Sequence, residues 1–267
     1  MKLCFSTLGC PRWTWNEITA TAKDLLLDGI EIRGIADTMY APDIREFSAD
    51  ALPKTLQQLQ KLGLSVPILS SGAALADPAR AQAAFLEAAD YINLAARMGV
   101  PYIRVMGTDE PQITAGDFTL AAGLYRQLCA LGAKKGVTPL IETNGLLSCA
   151  ADMQDFLAEA GHENSGVLWD VHHSVRYANE SPLQTIAALG EKIRHVHVKD
   201  SSLQNGKVKY QMMGYGDIPL ADTLALLRAI GYDGFVSLEW VKRWVTDLED
   251  AGIVFAQFKR FMDSELV

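Results

Sequence analysis

Four short apolar segments in this 267-residue chain each end in groups that can bind a cation or move a proton. They are Pro139-Leu140-Ile141-Glu142, Val167-Leu168-Trp169-Asp170, Arg194-His195-Val196-His197-Val198-Lys199-Asp200 and Val236-Ser237-Leu238-Glu239. Runs of this kind favour buried strands. Alternation puts His195 and His197 on one face, with Val196 and Val198 on the other. If the four strands lie parallel in a closed sheet, their C-terminal ends converge. Glu142, Asp170, His197 and Glu239 then meet, and carboxylates so close repel unless a cation sits among them. Mostly oxygen ligation with one imidazole suits one divalent metal, Mn2+, Mg2+, Co2+ or Zn2+, without choosing among them.

The elements that must position these groups recur along the chain. Strands are expected at 2–6, 30–32, 64–69, 102–105, 138–141, 167–170, 193–198 and 236–240. Helices are expected at about 16–28, 50–62, 77–98, 118–135, 150–159, 182–189, 221–229 and 247–262. The third helix opens on Asp77-Pro78, an N-cap followed by proline at the first helical position. Phe85, Ala88, Ile92 and Ala95 recur along it at helical spacing. Gly29, Gly63, Gly99, Gly136 and Gly231 all fall between a helix and the next strand, where a left-handed cap is expected. Eight βα units over roughly 250 residues predict an α/β fold, the (β/α)8 TIM barrel. No linker or composition break interrupts it, so one domain over 1–267 is expected. A doubly wound open sheet is the competitor, but no GxGxxG follows the first strand.

The totals narrow the function classes. The chain is 49% hydrophobic and 21% charged, an ordinary globular composition. A net charge of −8 argues against a nucleic-acid-binding surface. No run approaches the ~18 apolar residues of a membrane helix. The first apolar stretch, 3–10, stops at Pro11-Arg12, too short for a secretory signal. Cys4, Cys10, Cys129 and Cys149 show no CxxC spacing, which suggests reduced thiols in a cytoplasmic protein. A homo-oligomer is compatible with all of this.

The chain resembles the xylose isomerase-like TIM barrels, a family of sugar isomerases, ketose 3-epimerases, inosose dehydratases and endonuclease IV. The matching segments are IETNG at 141–145, WDVHH at 169–173, HVHVKD at 195–200, GYGDIP at 214–219 and YDGFVSLEW at 232–240. The N-terminal half agrees more generally, through GIEIRG at 29–34. The resemblance implies a metal held by Glu142, Asp170, His197 and Glu239, the set that the strand argument reaches independently. It also implies that His173 touches substrate or a second metal, against the alternative of a loop histidine facing solvent.

Other residues carry two readings each. Lys199 is a binder of substrate oxygens or a rim lysine. Arg33 and Arg104 are substrate ligands or structural ion-pair partners. Trp13 and Trp240 offer faces for a sugar ring, or simply pack. His195 reads as a hydrogen-bonded core histidine. Gly214 and Gly216 either let backbone amides approach a phosphate or make a tight turn.

The expected activity is a metal-dependent isomerase or epimerase acting on a small sugar or polyol ketone, free or phosphorylated. Glu142 and Glu239 would be the acid/base pair on opposite faces of the reacting carbon. Dehydration of a cyclic ketose is the close alternative. Endonuclease IV-like cleavage needs a three-metal cluster, and therefore more histidines than the five here. Residues 218–219 are Ile-Pro, with no histidine two residues beyond Asp217. A silent sugar-binding barrel is the remaining rival.

Overall fold

The computed structural model describes residues 1–266, in which strands and helices alternate along the chain. In order they are β1 (Lys2–Ser6), α1 (Trp15–Asp24), β2 (Gly29–Glu31), α2 (Leu52–Leu62), β3 (Ile68–Ala74) and α3 (Ala81–Met98). Next come β4 (Tyr102–Met106), α4 (Phe118–Ala133), β5 (Thr138–Glu142), α5 (Ala150–Ala160), β6 (Gly166–Asp170), α6 (Val171–Ala178) and α7 (Pro182–Leu189). The chain continues through β7 (Ile193–Val198), β8 (Asp200–Gln204), β9 (Lys207–Gln211), α8 (Leu220–Ala229), β10 (Phe235–Leu238) and α9 (Ala251–Glu265). Eight strands share one sheet in the order β2-β1-β10-β7-β6-β5-β4-β3, while β8 and β9 pair antiparallel by themselves. The pairs β1–β10, β1–β2, β3–β4, β4–β5 and β5–β6 are parallel.

Two compact units are present, residues 1–67 with the chain from His197 onward, and residues 68–196. Their boundary falls inside β7, a single strand. In the second unit, Ile68, Leu140 and Leu168 form a solvent-free cluster with Tyr102 packed on it. The first unit buries Ala251, Val254, Phe255, Phe258 and Met262 of α9, the spacing of one helical face. Phe255 stacks on Phe5 of β1 with ring centroids 4.0 Å apart.

Several boundaries differ from those expected, each for a local reason. The first helix starts at Trp15 because Thr14 and Glu17 form a capping box. It ends at Asp24 rather than 28, since Asp28 is committed to β1: its carboxylate and backbone amide both bond Leu3. Gly63, Gly99, Gly136 and Gly231 take the left-handed conformation, with φ of +69° to +70°. Gly29 does not. It lies in β2, where a Cβ would stand 2.6 Å from the Ser65 carbonyl oxygen. The third strand runs over Ile68–Ala74 rather than 64–69, leaving Ser65 in an isolated bridge to Gly29. The third helix begins at Ala81, because the Asp77 carboxylate instead closes a turn on Ala79 and pairs with Arg80 at 2.7 Å. Helix α6 and the β8–β9 hairpin were not anticipated. Asn205 and Gly206, both left-handed, make the hairpin's two-residue turn.

Candidate metal and proton-transfer site

In the unit of residues 68–196, β5 ends on Glu142 and β6 on Asp170, 1% and 0% exposed. Arg104 of β4 places Nη1 3.2 Å from Glu142 Oε2. The same guanidinium donates to the Ser71 carbonyl through Nη2 at 2.8 Å and Nε at 3.3 Å. Ser71 returns its hydroxyl to the Arg104 carbonyl at 2.6 Å, so β3 and β4 hold the arginine rigidly. Asp170 caps α6, its Oδ1 accepting the His173 amide at 3.0 Å. Its own amide donates to Thr143 Oγ1 at 2.8 Å. His173 is buried, with Nδ1 3.1 Å from the Thr143 carbonyl and Nε2 3.6 Å from Asp170 Oδ2. Asp170, His172 and His173 each offer a ligand atom within 4.8 Å of one another.

The other unit holds a second cluster. Both faces of β7 are covered from His195 to Val198, which buries His197, and Lys199 follows the strand's end, also buried. Glu239 directly follows β10, its amide bonded to the Val198 carbonyl at 3.0 Å. Lys199 Nζ lies 2.5 Å from Glu239 Oε2. His197 Nδ1 lies 3.5 Å from Glu239 Oε1, and Nε2 lies 2.9 Å from Oε2 of Glu31, the last residue of β2. Burial pushes the nearby Cys4 thiol well up, and the negative charge of Glu31 adds to that rise.

The remaining sequence-derived residues have plainer surroundings. Arg33 is half-buried just past β2, its amide bonded to Thr7 Oγ1 at 2.9 Å. Trp13 is half-buried and edge-on to Phe255 at 5.6 Å. Trp240 is 1% exposed and gives its Nε1–H to the Glu249 carbonyl at 3.0 Å, an interior packing position. Gly214 and Gly216 both donate their amides to Asp200 Oδ2 at 2.9 Å. Ser201 and Ile218 amides reach Oδ1 at 2.8 and 3.3 Å. The phosphate alternative for these glycines therefore gives way to the turn. Asp200 occupies the amide cradle, and a Cβ on Gly216 would fall 2.1 Å from it.

Sequence reasoning gave no individual role to Glu31 or to Asp200, although Asp200 closes the segment that carries His197. Glu31 ends an apolar strand in a carboxylate, the same pattern that identified Glu142, Asp170 and Glu239, but a three-residue strand made it inconspicuous.

A model of the family described as xylose isomerase-like TIM barrel matches residues 20–258. The chain belongs to this family. Its fold is accordingly a (β/α)8 barrel with the β8–β9 hairpin inserted after β7. The probable 3-DHS dehydratase AsbF of Bacillus anthracis superposes with a TM-score of 0.81 at 18% identity, covering 98% of this chain and 99% of that one. The IOLI protein, solved with a zinc atom, gives 0.81 at 17% identity, covering 100% and 98%. D-psicose 3-epimerase of Clostridium cellulolyticum H10, solved with D-tagatose, gives 0.78 at 18% identity, again covering 100% and 98%. An uncharacterized protein of Methanocaldococcus jannaschii is 26% identical over 110 residues, 40% of this chain and 37% of that relative. At these identities the solved structures establish the fold. The family member described here also carries buried carboxylate and imidazole groups that could hold a metal ion. Among the described residues, no helix is long and apolar enough to cross a membrane.

Proposed function

We propose that the chain is a metal-dependent isomerase or epimerase of a sugar or polyol ketone, with Glu142, Asp170, His197 and Glu239 as ligands of one divalent ion. The observation that carries this reading is the sheet order. Strands β5, β6, β7 and β10 are consecutive in the sheet, and these four residues stand at their C-terminal ends. All four are buried; Arg104 and Lys199 each pair with one oxygen of Glu142 and Glu239, and a set of three carboxylates and one imidazole is a divalent-metal donor set. The donor set suits Mn2+, Mg2+, Co2+ or Zn2+, and the zinc atom of the IOLI structure supports a divalent ion of this class.

A divalent ion held there would polarise a ketone oxygen and the adjacent hydroxyl, acidifying the C–H between them. Glu142 and Glu239 do the proton work: one removes the proton and the other returns it to the opposite face. Arg104 and Lys199, each on Oε2 of its carboxylate, orient the two bases. His173 and Arg33 bind substrate oxygens, and Trp13 offers a stacking face. Arg104 and Lys199 act on substrate through the carboxylates they hold. A ketose as substrate is supported by the psicose 3-epimerase neighbour, and a cytoplasmic setting by the free cysteines.

A second reading is dehydration, favoured by one contact. In this reading the Lys199 ammonium, 2.5 Å from Glu239 Oε2, gives a proton to the departing β-hydroxyl. The dehydratase neighbour supports it.

The test is a panel of ketoses in D2O with the metal-loaded protein. Deuterium should enter at the carbon beside the carbonyl, and Glu142→Gln and Glu239→Gln, with metal occupancy checked, should abolish turnover. A dehydratase would instead release water and give a conjugated ketone absorbing in the near ultraviolet. Near-normal turnover in both variants would overturn the two-base reading.

A further inference from the structure

We propose that Glu31 is the positioning residue for His197, fixing its imidazole as the Nε2–H tautomer and presenting Nδ1 as the donor atom. This rests on the metal reading above and adds a residue outside the ligand set.

The argument begins with burial. Glu31 is 0% exposed and sits between Ile30 and Ile32, both also 0% exposed. A buried carboxylate is costly unless paired and hydrogen-bonded. Its Oε2 lies 2.9 Å from His197 Nε2, and His197 is likewise fully buried. An ionised carboxylate only accepts, so Nε2 carries the hydrogen and the lone pair of a neutral ring falls on Nδ1. That atom is the one turned toward Glu239 Oε1, 3.5 Å away. A metal-ligating histidine characteristically gives its other ring N–H to a carboxylate or carbonyl, which sets ring orientation and raises basicity. Glu31 and His197 have this geometry.

Topology makes the contact specific. Within its unit, β2 is separated from β7 by β1 and β10. Neighbouring strands lie about 4.8 Å apart, so on a flat sheet these two would stand roughly 14 Å apart. A 2.9 Å bond between their side chains requires the sheet to curl and the two residues to share its concave face. Glu31 is at the end of β2, level with Ser6 of β1, and so reaches the same strand-end layer as His197.

The experiment uses the full chain and two readouts. Nitrogen-detected imidazole spectra of the metal-free protein should show His197 as the Nε2–H tautomer in the wild type, and as a mixture in Glu31→Ala. Titration with zinc or cobalt alone should then give affinity about 10–100-fold weaker for Glu31→Ala, with Glu31→Gln between. The visible spectrum of the cobalt form should change, with circular dichroism as the folding control. Should Glu31→Ala fail to fold, Glu31→Gln carries both readouts. Unchanged tautomer and unchanged affinity in the Glu31 variants overturn the inference, and a loss of affinity in His197→Ala would then still support the metal reading. A wild type that binds neither ion overturns the metal reading, and the tautomer spectra alone then decide whether Glu31 orients His197.

Discussion

Each of the two compact units buries one strand-end carboxylate against one cation, and the cations differ. In the unit of residues 68–196 Glu142 faces Arg104 at 3.2 Å; in the other Glu239 faces Lys199 at 2.5 Å. The arginine is also tied to the Ser71 carbonyl by two further hydrogen bonds. Its guanidinium is planar, permanently charged and held by neighbouring backbone, which makes it a clamp. The lysine is a compact point charge on a flexible stem, able to yield its proton. Similar burial thus serves two ends. Glu142 is locked in place, while Glu239 is held by a group that can itself take part in proton transfer.

The largest effect expected from this difference is on stability. Breaking a buried ion pair from one side typically costs about 3–5 kcal/mol. Arg104→Met also strips the Ser71 bonds, so it should fall near the upper part of that range, about 4 kcal/mol. Lys199→Met should fall at the lower end, about 3 kcal/mol, since Glu239 is 5% exposed against 1% for Glu142. Urea unfolding in the presence of a chelator measures both. Equal losses would mean that the Ser71 anchor contributes nothing. The next effect is on turnover. Lys199→Arg keeps the charge but not a transferable proton, and should lower turnover about 100-fold if Lys199 donates to a leaving hydroxyl. Turnover within a few-fold of wild type would reduce Lys199 to a clamp like Arg104 and count against dehydration.

The two pairs were unequally legible in the sequence. Glu142 and Glu239 were visible because a carboxylate closing an apolar run is conspicuous, and Lys199 because it stands two residues past His197 in a β-branched run. Arg104 was visible as a residue, but its bond to Glu142 depends on β4 and β5 being neighbours in register, with Arg104 opposite Leu140. Periodicity does not encode that register. The bond from Glu31 to His197 depends on sheet curvature, which is a property of eight strands together. Asp200 illustrates the opposite limit. Gly214 and Gly216 announced a tight backbone approach correctly, but what approached was the protein's own carboxylate. The hairpin was written in Asn205-Gly206 and passed over because the segment around it is short and polar.

The smallest effect is alkaline softening of both units, and it can report which one opens. Burial raises the thiols of Cys4 and Cys10 in one unit, while in the other it pushes Cys129 up to about 12. The unfolded chain gives up these protons near the ordinary value of 9.0. Between about pH 9 and 12 the folded state therefore binds more protons than the unfolded one, and stability falls as pH rises through that window. Below it the contribution is fully present. At pH 10 the loss from Cys129 should be on the order of 1 kcal/mol, read as a drop in urea midpoint between pH 8 and pH 10 that is smaller in Cys129→Ala. The same burial keeps these thiols from reacting in the native state, since only the thiolate attacks and access is closed. A thiol reagent at pH 8 should then label Cys149 first, the one cysteine that is only half-buried. In Arg104→Met the next site to react should be Cys129, whose unit has lost its clamp. In Lys199→Met it should be Cys4 or Cys10. Identical labelling orders in the two variants would show that the units open together, and the contrast between the two ion pairs would then be chemical only, with no separate stability of the units behind it.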